Sequence, residues 1–159
     1  MDSIILFVCT GNYYRSRFAE ALFNHHAKVR GLRWQAISRG LAIDRVIERD
    51  NLSCFTVAAL AERRIERQHT SLQKTALTSQ DLFAADLIIA LCETEHRPMI
   101  EEAHSLWTDH IVYWNVPDLP HWLPDEALSE IECQVLLLLN LLAGRNLDAA
   151  QRVVTHVTN

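Results

Sequence analysis

This sequence predicts an α/β fold of three layers: a four-stranded parallel sheet, in the order 2-1-3-4, with helices on both faces. Two strand patterns, residues 3–8 and 86–91, carry apolar runs (Ile4 to Val8 and Leu87 to Leu91) that are continuous rather than alternating, which marks strands covered on both sides. Helical patterns separate the strand patterns, so neighbouring strands run parallel. Right-handed crossovers then give a doubly wound sheet. A length of 159 residues suits a single domain, 1–159, with a core large enough to fold alone.

The elements follow in order. Residues 3–8 form the first strand. From 16 to 29, Phe18, Leu22, His25 and Val29 recur at helical spacing, and Gly31 ends that helix. Residues 34–38 read as the second strand, closed by a turn at Ser38-Arg39-Gly40. A helix fits 50–64, with Asp50 or Asn51 as its cap, and a further helical turn fits 81–85. The third strand is 86–91. A helix over 94–103 carries Pro98 near its start. Residues 111–114 form the fourth strand. Pro124-Asp125-Glu126 opens a long helix that Gly144 ends. Residues 146–157 suit a short last helix or a frayed end.

Composition narrows the function. The net charge of -5 argues against nucleic-acid binding, which needs a concentrated basic surface. The opening apolar run is too short for a membrane span and lacks the basic flank of a signal peptide. Leu136 to Leu139 read as a buried helix face. Cys9, Cys54, Cys92 and Cys133 form neither a CxxC pair nor a zinc spacing, so free thiols in a reducing cytoplasm are expected, with no metal and no cofactor.

In a doubly wound sheet, ligands bind beyond the carboxyl ends of the strands where the order reverses, here the loop after strand one. That loop reads Cys9-Thr10-Gly11-Asn12-Tyr13-Tyr14-Arg15-Ser16. The thiolate is the nucleophilic form of cysteine, and a helix N-terminus, loop amides and Arg15 all favour it. Ser16 adds a hydrogen bond to the sulfur. The N–H groups of residues 10–15 suit a nest for phosphate, sulfate or a similar oxyanion. Gly11 permits a tight path, with positive φ if needed, and Asn12 tolerates left-handed geometry and pins the loop by side-chain bonds. Arg15 holds two oxygens in a planar fork. Phosphate-binding residues are therefore expected at Thr10 through Ser16. This set suits displacement at phosphorus.

Val8 through Ser16, continuing to Ala19-Glu20, resembles the low-molecular-weight protein tyrosine phosphatases; the thioredoxin-coupled arsenate reductases share the loop. Ser38-Arg39-Gly40, Leu77-Thr78, Asp81-Leu82 and Pro117-Asp118 extend the resemblance along most of the chain. It implies a metal-free enzyme in which Cys9 attacks phosphorus to form a phosphocysteine. Arg15 and the loop amides would then stabilise the equatorial oxygens. The substrate would be a phosphorylated protein, phosphotyrosine first, or a small aryl phosphate.

A phosphate ester also needs its leaving oxygen protonated. Asp118, in Val116-Pro117-Asp118-Leu119-Pro120, follows strand four and so lies on the same sheet edge as the Cys9 loop. The resemblance gives this role to the aspartate of an Asp-Pro pair, whereas here the order is Pro-Asp, then Leu-Pro. Relatives place aromatics just after the acid; here Tyr13 and Tyr14 supply aromatic walls instead, and Tyr14 stands where many relatives carry a second, protective cysteine. Cys92, at the end of strand three, is a redox candidate beside Cys9 and supports an arsenate-reductase or thiol-redox alternative. The further relay cysteine of those enzymes is missing between Glu93 and Ile100. A phosphate-binding regulatory module without turnover is the remaining alternative.

Overall fold

The computed structural model describes residues 1–144, so the segment read at 146–157 lies outside the described residues. Its elements are β1 (Ser3–Cys9), α1 (Arg15–Val29), β2 (Trp34–Gly40), α2 (Cys54–Glu62), α3 (Ser79–Ala84), β3 (Leu87–Ala90), α4 (Glu93–Ala103), β4 (Val112–Tyr113) and α5 (Pro124–Gly144). Among the described residues the strands form one sheet, β2-β1-β3-β4, with every neighbouring pair parallel.

The continuous apolar runs are explained by burial on two sides. Ile5, Phe7, Leu87, Ile89 and Val112 face the layer of α1, α2 and α5. Leu6, Val8, Ile88, Ala90 and Tyr113 face Leu82 of α3 and Ile100 of α4. Successive side chains of a strand point to opposite faces, so both sets must be apolar. Helix α5 is long and apolar enough to cross a membrane by length and composition. It instead buries Ile131, Val135, Leu138, Leu139 and Leu142 in the core.

Local chemistry sets three of the helix ends. Gly31, at φ 64°, takes the left-handed turn after α1, and Leu32 N–H returns to the Ala27 carbonyl at 2.9 Å. Thr78 and Asp81 form a reciprocal capping box on α3. Three expectations need correction. The cap of α2 is Ser53, which accepts the Phe55 N–H at 3.2 Å, and not Asp50 or Asn51. Pro98 is the sixth residue of α4 rather than one near its start. Ser38-Arg39-Gly40 is strand, not turn: Phe7, Val8 and Cys9 pair with these three residues and draw β2 alongside β1 to its end.

Candidate active site

β1 delivers Cys9 to the carboxyl edge of the sheet at 3% exposure, and α1 begins six residues later at Arg15. The loop between them turns on Asn12, whose φ is 48°; Gly11 does not take the positive φ. Gly11 leaves room for the Val46 side chain: a Cβ there would collide with it, and one of the two would have to shift. The N–H groups of Gly11, Asn12, Tyr13 and Tyr14 donate to no backbone carbonyl among the described residues. Four such donors, next to the first turn of α1 and on the same loop as the sulfur, are able to seat an oxyanion.

Asn12 braces the loop from behind. Its Nδ2 donates to Ser16 Oγ at 3.2 Å and to Ser38 Oγ at 2.9 Å, and its Oδ1 accepts the Thr75 N–H at 2.8 Å. Ser38 in turn donates to Glu20 at 2.6 Å. Because Ser16 Oγ already accepts from Asn12, its own hydrogen is free to point at Cys9 Sγ, 2.9 Å away. That polarity suits a negative sulfur.

Arg15 is buried, with 1% of its side chain exposed, and its terminal N–H groups are fully engaged. NH1 donates to Glu95 Oε1 at 3.2 Å and to the Val116 carbonyl at 2.8 Å. NH2 donates to Glu95 Oε2 at 2.8 Å and to Asp118 Oδ2 at 2.9 Å. Burial works against the guanidinium charge, but Cys9, Glu95 and Asp118 outweigh it and hold Arg15 more firmly protonated than usual. Glu95 shows the reverse balance. Burial raises its pKa, while the hydrogen bonds and charge of Arg15 pull it below the ordinary value overall.

Asp118 lies just past β4 with its side chain 41% exposed, so it reaches both Arg15 and solvent. Its N–H donates to Glu95 Oε1 at 2.9 Å. Cys9, Gly11, Tyr13, Tyr14, Arg15 and Asp118 share one cavity of about 360 Å³, completed by Phe55, Leu119, Arg45 and Glu48. Tyr14 packs against Phe55 with the rings tilted by 59° and their centroids 6.1 Å apart. Arg39, by contrast, pairs with Asp81 at 2.9 Å. Cys92 is fully buried directly before α4, with Sγ 3.4 Å from Thr94 Oγ1. No three metal-ligating side chains cluster among the described residues.

Sequence reasoning missed Glu95 and His96. His96 is fully buried and fits the same wall: Nδ1 accepts the Cys92 N–H at 3.0 Å, and Nε2 lies 3.3 Å from Thr10 Oγ1. The signal for both was positional. They occupy the first turn of the helix after β3, the strand beside β1, so they meet the Cys9 loop at one sheet edge.

A buried cysteine and an arginine on one strand-to-helix loop, with a carboxylate from the segment after β4 at the same cavity, are the groups that a cysteine-dependent phosphatase requires. The family model for low molecular weight phosphotyrosine protein phosphatase matches residues 4–130. The chain belongs to that family and is a hydrolase of the low-molecular-weight class. A protein-arginine-phosphatase from Bacillus subtilis (strain 168) is 33% identical over 107 residues, 67% of either chain. The low molecular weight protein tyrosine phosphatase from T. tengcongensis superposes with a TM-score of 0.73 at 26% identity, covering 87% of this chain and 99% of that one. YfkJ from Bacillus subtilis gives 0.74 at 26% identity, over 91% and 98%.

Proposed function

We propose that this phosphatase hydrolyses phosphomonoesters on proteins, phosphotyrosine foremost, through a phosphocysteine on Cys9. The observation that carries the reading is the convergence of Cys9, Arg15 and Asp118 on one cavity with aromatic and apolar walls from Tyr13, Phe55 and Leu119. Cys9 sulfur attacks phosphorus, the bond to the leaving oxygen breaks, and Asp118 gives that oxygen its proton. Water then attacks the phosphocysteine. Asp118 takes the proton of that water, the S–P bond breaks and orthophosphate leaves. Arg15 and the loop N–H groups balance the charge on the equatorial oxygens.

A second reading, phosphoarginine as substrate, draws on the arginine-phosphatase relative and on two carboxylates at the cavity, Asp118 and Glu48, which suit a cationic leaving group. The redox alternative through Cys92 has less support, since that thiol is fully buried against Thr94.

The test assays p-nitrophenyl phosphate, a phosphotyrosine peptide and a phosphoarginine peptide under reducing conditions, beside Cys9→Ser and Asp118→Ala. Turnover that vanishes in Cys9→Ser is expected. Asp118→Ala should lose turnover yet keep phosphate binding. Preference for the phosphoarginine peptide would replace the first substrate by the second. Absence of turnover on all three in the unaltered protein would overturn the proposal.

A further inference from the structure

A guanidinium group offers two different forks. The end-on fork uses one hydrogen from each terminal nitrogen. The side-on fork uses Nε–H with the second hydrogen of NH2. Glu95 fills the end-on fork of Arg15 with both carboxylate oxygens, at 3.2 and 2.8 Å. The Val116 carbonyl takes the spare NH1 hydrogen. What remains is the side-on fork, in which NH2 holds Asp118 Oδ2 and Nε has no partner among the described residues.

We infer that Glu95 is a positioning residue for phosphoryl transfer: it locks the end-on fork of Arg15 and so presents the side-on fork to the phosphate, while holding the loop that carries the acid. This rests on the reading that Cys9, Arg15 and Asp118 perform the reaction. The same Oε1 that accepts from Arg15 NH1 accepts the Asp118 N–H at 2.9 Å. One carboxylate therefore ties the phosphate clamp to the acid loop. A bound phosphate exchanges with Asp118 at NH2 and gains Nε–H as a second donor. Asp118 Oδ2 is released toward the leaving oxygen, yet Asp118 cannot drift, because its backbone stays on Glu95.

Electrostatics alone argues against this carboxylate. A second negative charge beside Asp118 repels a phosphate dianion, and a bare cation would attract it more strongly. The arrangement is explained if direction outweighs attraction, because a reacting group displaced by about 1 Å costs on the order of 10²-fold in rate. A neutral amide cannot substitute. Glutamine offers one acceptor oxygen, and its NH2 would face Arg15 NH2, donor against donor.

The experiment compares Glu95→Gln and Glu95→Asp with the unaltered protein and Cys9→Ser. It reads kcat and KM on a phosphotyrosine peptide, inhibition by inorganic phosphate, and Tm. Glu95→Gln is expected to lower kcat/KM on the order of 10²-fold and to weaken phosphate inhibition about tenfold or more. Glu95→Asp keeps the charge with a shorter reach and is expected to recover part of both. It supplies the reading if Glu95→Gln does not fold. Loss of activity with unchanged phosphate inhibition would mark a merely structural role and overturn the inference. So would kcat/KM within about threefold of the unaltered protein in Glu95→Gln, with Cys9→Ser inactive. If the unaltered protein and Cys9→Ser are equally inactive, the underlying reading of the chemistry fails instead, and the inference falls with it.

Discussion

Acidification to pH 5 tests the wall behind the phosphate loop through His96. The ring is fully buried and is flanked by Arg15 and Glu95; Nε2 lies 3.6 Å from Glu95 Oε2. Burial, reinforced by the Arg15 charge and opposed by Glu95, pushes its pKa from 6.5 down to about 3. Nδ1 accepts the Cys92 N–H, so the neutral tautomer assigned by that bond carries its proton on Nε2, toward Thr10. The sign follows from linkage. Below about pH 6.5 the unfolded chain gains a proton on His96, and the folded chain gains none until about pH 3. Stability is therefore lost as pH falls through that window, and the loss levels off below it. At pH 5 the unfolded group is almost wholly protonated and the folded one almost wholly neutral, which gives a loss of about 2 kcal/mol relative to pH 7. The assay is urea unfolding at pH 7 and pH 5 for the unaltered protein and for His96→Asn, which keeps an acceptor for the Cys92 N–H. The pH-dependent loss should be about 2 kcal/mol smaller in His96→Asn, while the other titrating groups, common to both proteins, cancel. Equal losses would refute the assignment of a buried neutral imidazole.

Two substitutions probe the loop itself. Tyr14 Oη is buried without a hydrogen-bond partner among the described residues, so Tyr14→Phe should raise stability by about 1 kcal/mol in thermal unfolding; a loss of that size would refute the orphaned hydroxyl. A Cβ at Gly40 would lie 2.6 Å from Ile43 Cγ2 and 2.9 Å from both the Asn12 nitrogen and the Thr10 carbonyl oxygen. Gly40→Ala should cost about 1–3 kcal/mol and, by shifting loop backbone, also lower kcat/KM; unchanged kinetics would show that β2 does not shape the loop.

The parts of the molecule that were legible carried their own local signature. β1 and β3 announce themselves because burial on both faces leaves no place for alternation. The phosphate loop is legible because cysteine, glycine, arginine and serine at that spacing have few other uses. What escaped was set by distant contacts. Ser38 looked like part of a turn, yet its side chain is fully buried between Asn12 and Glu20, and pairing with β1 holds Arg39 and Gly40 extended. Glu95 is one of two acids in the first turn of α4. Only its contact with Arg15, 80 residues away in sequence, sets it apart from Glu93, which pairs with Arg97 instead.

The same contrast explains how the loop keeps its shape. Eight residues state the chemistry, but their geometry is imposed from behind by segments far along the chain. Asn12 reaches Ser38 on β2 and the Thr75 amide. Arg17, with 1% exposure, donates to the carbonyls of Asn12, Asn51 and Ser71 and to Thr70 Oγ1. Glu20 closes the network by accepting from Ser38 and Thr70, each at 2.6 Å. Burial raises the Glu20 pKa against the opposing pull of Ser38, Thr70 and Arg17, so the ionised form is costly. A buried charge is tolerated only when its partners are complete. Removing any one of them strands a charge or a donor, and the penalty falls on the backbone that carries Asn12 and Ser16. The motif can therefore be read from the sequence, while its catalytic shape belongs to the whole layer of segments packed behind it.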